Sequence, residues 1–471
     1  MCTAPATSGR GGGRATTIPQ WFAEVLHVTH RIPVRLGTHV RAGMASEDAG
    51  RVPIILDCDP GHDDALAILL ACGCGLTDLR LVTTVGGNVP VSSTTANAVR
   101  FLHACGRPDV PVVQGASRPL VAEAVACHEI HGKSGMDGFA HWPDLASAVP
   151  VASALPAGGG PVRRSLPAPE STSSPSAAIA AMADALTAAS EHARASGSAM
   201  PVLVATGPLT NVALLLRMRP DLVTSGALTR IVIMGGSIGM GNTSPAAEFN
   251  IEVDPHAAAI VLGAARPGAF AAEAAMDGTS EAVSLSVTMV PLDVTHTALV
   301  TEAVRSRLAS VRKDRGEAPL GWSWRARDDA DFPCMLDGLM QFFGDTYAKV
   351  FGFVDGPPVH DPCAMLAAFC PSAFEMKPCR VLVETTGLCA GRTVVDLLGV
   401  TNVAAAAPAL APSAAAAAAS GAASFRGNAS QWHSAPVVNV ATQMDRTTFW
   451  DIMMSSVAFC DAQSPLSLTQ V

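Results

Sequence analysis

The eight residues DCDPGHDD, Asp57 to Asp64, constrain what this 471-residue chain can fold into more than any other stretch. The apolar run Val52–Leu56 leads into them, and ALAILLA, Ala65–Ala71, follows with helical spacing. That order reads as strand, acidic turn, helix. Carboxylates crowded this closely repel one another unless positive charge sits among them, so Asp57, Asp59, Asp63 and Asp64 point to a bound hard cation. In open α/β sheets, ligands bind at the carboxyl ends of the strands, where this turn would lie.

The strand and helix pattern then repeats. LRLVTTVGGN (Leu79–Asn88) is β-rich and is followed by helical spacing over Ser92–Cys105, and Val110–Val113 reads as a short third strand. A helix is predicted from Ala177 to about Ala195. PVLVATGPLTNVALLL then gives a strand, a turn at Thr206–Pro208 and a helix, and RIVIM (Arg230–Met234) is a further buried strand. Val287–His296 reads as a β segment, Gln341–Phe351 as helical, and His360 and Asp361 precede another helix. Arg380–Thr385, Arg392–Asp396 and Val437–Thr442 complete the strands. The alternation predicts an α/β fold: a mainly parallel, Rossmann-like central sheet flanked by helices, in a single domain with low-complexity insertions. The expected boundaries are a disordered N-terminal extension over residues 1–51, a domain over 52–460 and a tail over 461–471, with insertions at about 143–175, 265–286 and 399–435.

Composition narrows the partners. A net charge of -9 without a basic cluster argues against nucleic acid. The mean hydropathy of +0.32 is inflated by alanine, and the tract Val403–Ala419 is broken by Pro408 and Pro412, so no membrane span is expected. Twelve cysteines without a CxxC pair favour reduced thiols and a cytoplasmic setting. The Arg-rich start, with Arg10, Arg14, Arg31, Arg35 and Arg41, leaves an organelle transit peptide as the alternative to a disordered tail.

Several predicted strands end on polar groups: Asp57 and Asp59, Asn88, Thr206 and Asp293. Shared at one sheet edge, they would line one pocket. Oxygen ligands favour calcium or magnesium over zinc. An EF-hand fails, because counting from Asp57 places His62 where glycine is required and Ile68 where glutamate is required. A magnesium-dependent aspartyl phosphatase also uses a DxD at a strand end, but here Pro60 and Gly61 intervene.

DCDPGHDDALAILLA resembles the N-terminal signature of the inosine–uridine-preferring nucleoside hydrolases. TTVGGN, IHGKSGMDG, ATGPLTN, MGG, GNTSPAAEFNIEVDP, LDVTH and VHDPCA resemble further segments of that family, in the same order, and together they span most of Val52–Phe369.

The resemblance implies calcium-dependent hydrolysis of the N-glycosidic bond of ribonucleosides, giving ribose and a free purine or pyrimidine base. One calcium ion per site would be held by Asp59, Asp64, the carbonyl of Thr206 and Asp361, with Asp59 also acting as base toward the attacking water. Asp63, Asn88, Asn242, Glu248 and Asn250 would bind the sugar, and Met234 would line the floor. Phe249 would face the pocket and Tyr347 would lie near the base. His360 would serve as acid toward the leaving base, with His131 beside it, whereas His62 and His128 read as bystanders and Asp57 as a support behind the other acids. The family also implies a homodimer or homotetramer. The alternative is a protein that binds nucleosides without turning them over.

Overall fold

The computed structural model describes residues 50–140, 142, 175–276, 284–310, 331–401, 432 and 434–468. Residues 1–49 of the N-terminal extension and most of the residues at 143–175 and 399–435 lie outside this set, as does the Ala-rich tract Leu410–Ser424. The strands are β1 Val52–Cys58, β2 Thr77–Thr84, β3 Val112–Gln114, β4 Val202–Ala205, β5 Arg230–Met234, β6 Ser286–Val290, β7 Phe374–Val383, β8 Thr393–Val395 and β9 Val437–Met444. They form one sheet in the order β3-β2-β1-β4-β5-β6-β9-β7-β8. Pairing is parallel from β3 through to β9, and β7 runs antiparallel to both β9 and β8. The first six strands follow the doubly wound order, so the expected mainly parallel α/β sheet is present. Its switch point falls between β1 and β4, where the direction of winding reverses and a crevice opens at the carboxyl ends.

Burial explains why β1 sits at the centre. Ile54, Leu56 and Cys58 project to one face and Ile55 to the other, all inaccessible to solvent. Each fully buried aliphatic side chain contributes roughly 1.5–3 kcal/mol. The first face is covered by helices α1 His62–Gly73, α2 Val91–Ala104, α6 Phe332–Phe351, α7 Asp361–Phe369 and α8 Arg446–Gln463. The second is covered by α3 Pro175–Ser196, α4 Thr210–Met218 and α5 Pro255–Gly263. Every residue of α1 is buried, because α7, itself seated on β4, β5 and β6, and α8 both pack against it. A helix enclosed in this way has no polar face to present to water, which accounts for its almost continuous apolar sequence.

Three local readings change. The β pattern over Val287–His296 stops at Val290, because Pro291 cannot donate to a sheet ladder, and Leu292–Thr295 forms a helical turn instead. Asp293 therefore leaves the strand end; it accepts the main-chain N–H groups of Ile238 (2.6 Å) and Gly239 (3.0 Å) and secures that loop. The stretch 265–286 includes a helix over Ala271–Met276, and Ser286 already pairs with Arg230. At the far end, α8 continues past residue 460, and Asp461 and Ser464 are buried.

The helix predicted over Gln341–Phe351 begins earlier. Asp331 caps α6 by accepting from the Cys334 N–H at 2.9 Å, Pro333 sits in its first turn, and Gly352 ends it with a left-handed φ of +77°. A second capping carboxylate ties three elements together. Asp254 accepts from the Ala257 N–H at the start of α5 (3.0 Å), from the Thr210 hydroxyl at the start of α4 (2.7 Å) and from the Leu120 N–H (2.8 Å). Asp254→Ala removes a cap and strands buried donors, so it is expected to cost about 2–4 kcal/mol. Urea unfolding measures this, and a loss below about 1 kcal/mol would contradict the assignment.

Candidate active site

The acidic turn leaves the end of β1 beside the switch point. Asp57, still in the strand, accepts from the Thr83 hydroxyl (2.6 Å) and the Asn211 amide (2.8 Å), one from each side. Burial raises its pKa to about 7 despite those bonds. Asp57 thus braces the turn from behind.

Asp59 lies between Gly87 and Gly207, where a Cβ at either glycine would collide with its carboxylate. One oxygen accepts the Asn88 N–H at 2.7 Å. The other, Oδ1, is buried with no hydrogen-bond partner. Asp64 stands at the start of α1, where the helix dipole favours negative charge. It accepts from the Gly61 N–H (3.0 Å), the Thr206 hydroxyl (2.9 Å) and the Asn88 amide (3.2 Å).

Carboxylate oxygens of Asp63, Asp64 and Asp361 all lie within 4.8 Å of one another, and the three residues are buried. Asp361 arrives on the first turn of α7. Burial, followed by mutual repulsion, raises the pKa of Asp361 and Asp59 well above the carboxylate range and that of Asp63 to about 7. Among the described residues no Lys or Arg forms an ion pair with any of these acids. Buried, unneutralised carboxylates with one orphaned oxygen are a donor set suited to a hard divalent cation. The tightest group contains Asp63 where the sequence reading placed Asp59; Asp59 sits beside it, gripping Asn88.

A cavity of about 270 Å³ opens above this cluster. Asp63, Asp361, Asn88 and Thr206 form its floor with Met234, and Asn242, Glu248, Phe249 and Asn250 form one wall. Asp59 and Asp64 lie outside the lining. The Asn250 amide donates to the Thr206 carbonyl at 2.7 Å, the oxygen assigned to the cation from sequence. Glu248 caps the short helix Phe249–Val253 through the Asn250 and Ile251 N–H groups and also accepts from Gly236, while Asn242 accepts from the Phe249 N–H. The two residues therefore shape the wall as well as lining it. Burial lifts the Glu248 pKa to about 7.

His131, Tyr347 and His360 form the opposite wall. The Tyr347 hydroxyl is 2.8 Å from His360 Nε2, and the Thr295 hydroxyl is 2.7 Å from His360 Nδ1. Burial drives both histidines well below the usual imidazole range, so each is neutral near pH 7. Phe351 and Val350 line the cavity where it is exposed, and Cys127 and the buried Ile130 line it as well. The sequence reading passed over two residues here. Thr295 orients His360 from inside the LDVTH segment, and His62, set aside as a bystander, is fully buried with its ring stacked on His131.

Comparison with known proteins agrees with this geometry. The profile of the family described as inosine-uridine preferring nucleoside hydrolase matches residues 54–451. The pyrimidine-specific ribonucleoside hydrolase RihA of Photobacterium profundum is 37% identical over 352 residues, covering 74% of this chain and 90% of that relative. RihA of Salmonella schwarzengrund is 36% identical over 353 residues, with the same coverage. Among solved structures, a purine-preferring ribonucleoside hydrolase from Gardnerella vaginalis matches with a TM-score of 0.60 at 22% identity, covering 87% of this chain and 99% of that one. An inosine-guanosine nucleoside hydrolase matches with a TM-score of 0.59 at 25% identity, with the same coverage. An acidic floor at the switch point of a doubly wound sheet, the eight-residue turn that builds it and a family match across most of the chain converge: this protein belongs to the inosine-uridine preferring nucleoside hydrolase family.

Proposed function

We propose that the chain hydrolyses the N-glycosidic bond of pyrimidine ribonucleosides with one calcium ion at the floor of the cavity. The observation that carries this reading is the buried trio Asp63, Asp64 and Asp361 beneath a single-molecule cavity, with the orphaned Asp59 oxygen alongside. Pyrimidine preference rests on the two RihA relatives, both named as pyrimidine-specific.

Asp59, Asp64, the Thr206 carbonyl and Asp361 would hold the ion, whose charge anchors sugar hydroxyls and makes a nearby water easier to deprotonate. Asp59 Oδ1 accepts the proton of the attacking water. Asp63, Asn88, Asn242, Glu248 and Asn250 bind and orient the ribose, with Met234 beneath it and Phe249 covering it. At the other wall, His360, held between Thr295 and Tyr347, supplies a neutral hydrogen-bonding group to the leaving base.

Ribose release from uridine, cytidine, inosine and guanosine tests this reading. The two pyrimidine nucleosides are expected to lead; no release from any of the four, or release of phosphate from phosphoesters instead, would overturn it. Because the floor is built to engage sugar hydroxyls, 2′-deoxyuridine is expected to fall in kcat/KM by about 10³-fold or more relative to uridine. Near-equal rates would show that the floor does not read the 2′-hydroxyl.

No helix among the described residues is long and apolar enough to cross a membrane. A cytoplasmic homodimer or homotetramer completes the proposal, and light scattering of the full chain tests the assembly.

A further inference from the structure

Four carboxylates line the cavity, and no lysine or arginine does. Asp63, Glu248 and Asp361 are buried, whereas Glu129 is exposed, as are Val350 and Phe351 on the open side. Among the described residues no ion pair involves Glu129.

The short turn His128–His131 that carries Glu129 is held from two directions. The Cys127 N–H donates to the Asn88 carbonyl at 2.9 Å, which ties the start of the turn to the floor. From α6, the Thr346 hydroxyl donates to the Ile130 carbonyl at 3.1 Å, and Ile130 packs with Phe343 and Tyr347. Cys127 packs against the same cluster, and its thiol donates to Glu129 Oε1 at 3.7 Å. Both residues line the cavity, so the carboxylate is steadied on the Tyr347 side, leaving Oε2 to accept from a ligand.

The shape of a pyrimidine nucleoside decides what meets that carboxylate. With ribose on the buried floor, the base extends toward the open side. The glycosidic nitrogen N1 and the carbon C4 are opposite each other in the six-membered ring, so the substituent on C4 leads outward. In cytosine it is an amino group, which donates; in uracil it is a carbonyl oxygen, which only accepts. A carboxylate bonds the first and repels the second.

We propose that Glu129 is a specificity-determining residue of the nucleoside site: its carboxylate, steadied by the Cys127 thiol, accepts from the 4-amino group of cytosine and opposes the 4-oxygen of uracil, so that cytidine is preferred over uridine. The inference rests on the cavity being the nucleoside site proposed above, and it orders the two pyrimidine substrates of that reading.

The test compares kcat/KM for cytidine and uridine in the full chain, in Glu129→Ala and in Glu129→Lys, all at saturating calcium. The parent is expected to favour cytidine by about three- to ten-fold, the worth of one net hydrogen bond. Glu129→Ala is expected to bring the ratio to about one, and Glu129→Lys, which donates where the carboxylate accepts, to invert it in favour of uridine. A parent that favours uridine, a ratio unmoved by both substitutions, or equal losses on both substrates would overturn the inference and leave the hydrolase reading intact. Calorimetry of cytidine and uridine binding to Asp59→Asn, with and without the same substitutions at Glu129, reads the preference without turnover. If nucleosides bind and none is cleaved by the parent, the hydrolase reading alone fails, and the ratio of dissociation constants upholds or overturns the role of Glu129 by the same criteria. A protein that neither binds nor cleaves either nucleoside overturns both.

Discussion

Asp59→Asn is expected to lower kcat for uridine by about 10²–10⁴-fold at saturating calcium, the range for loss of a positioned general base. The substitution keeps shape and most contacts, since an amide oxygen can still accept the Asn88 N–H that Asp59 Oδ2 takes at 2.7 Å. What it removes is the basicity of Oδ1, the one oxygen of this carboxylate that has no partner. On the proposed reading ribose would be bound by Asp63, Asn88 and the wall around Glu248, so KM should move far less than kcat. Steady-state kinetics across a calcium titration separates lost basicity from weakened metal binding, because only the second is rescued by added ion. A kcat within ten-fold of the parent at saturating calcium would remove Asp59 from the role of base.

The second large effect links the metal to stability. Asp57 and Asp63 have ordinary pKa values of 3.8 in the unfolded chain and about 7 in the fold, with burial as the leading cause. Raised carboxylate pKa values mean that the metal-free native state holds more protons than the unfolded chain between these limits. Stability of the metal-free protein is therefore greatest on the acid side of this window and is lost as pH rises through about 7. On the proposed reading a divalent cation would replace the protons as the neutralising charge, so calcium should flatten or reverse the trend. At 100 times its dissociation constant, a ligand of the native state adds about 2.7 kcal/mol, which corresponds to roughly 3–4 °C in a domain of this size. Melting curves from about pH 5 to pH 8, with chelator and with calcium, measure both effects. A metal-free protein that grows more stable on going from pH 5 to pH 8 would contradict the electrostatic account of the floor.

The acidic turn was legible because its chemistry is local: strand, four acids and helix are contiguous in sequence, and Asp57 to Asp64 need no distant partner to be recognised as a unit. The parallel sheet was legible for a similar reason, since each strand and following helix carries its own periodicity. Roles that depend on residues far apart were not. Asp361 and Thr206 reach the floor only through packing of α7 on α1 and pairing of β4 with β1, and the resemblance of VHDPCA and ATGPLTN to family segments singled them out where spacing could not. His62 looked inert because its partners are 69 and 75 residues away. Asp293 was misplaced for the opposite reason: β-like residues continue beyond Val290, and the missing donor at Pro291, visible in the sequence, carries more weight than the propensity of Val294 and Thr295. Glu248 shows a limit of another kind. The sequence offered it only as a sugar-binding group, and the structure gives the same side chain a helix-capping role as well.

Ribose release from uridine by the purified full chain, followed in calcium, after exhaustive chelation and after calcium is restored, tests the central claim most directly. The account predicts turnover in calcium, its loss on chelation and its recovery when the ion returns. Undiminished turnover in the chelated protein, or no ribose released in calcium, would contradict it.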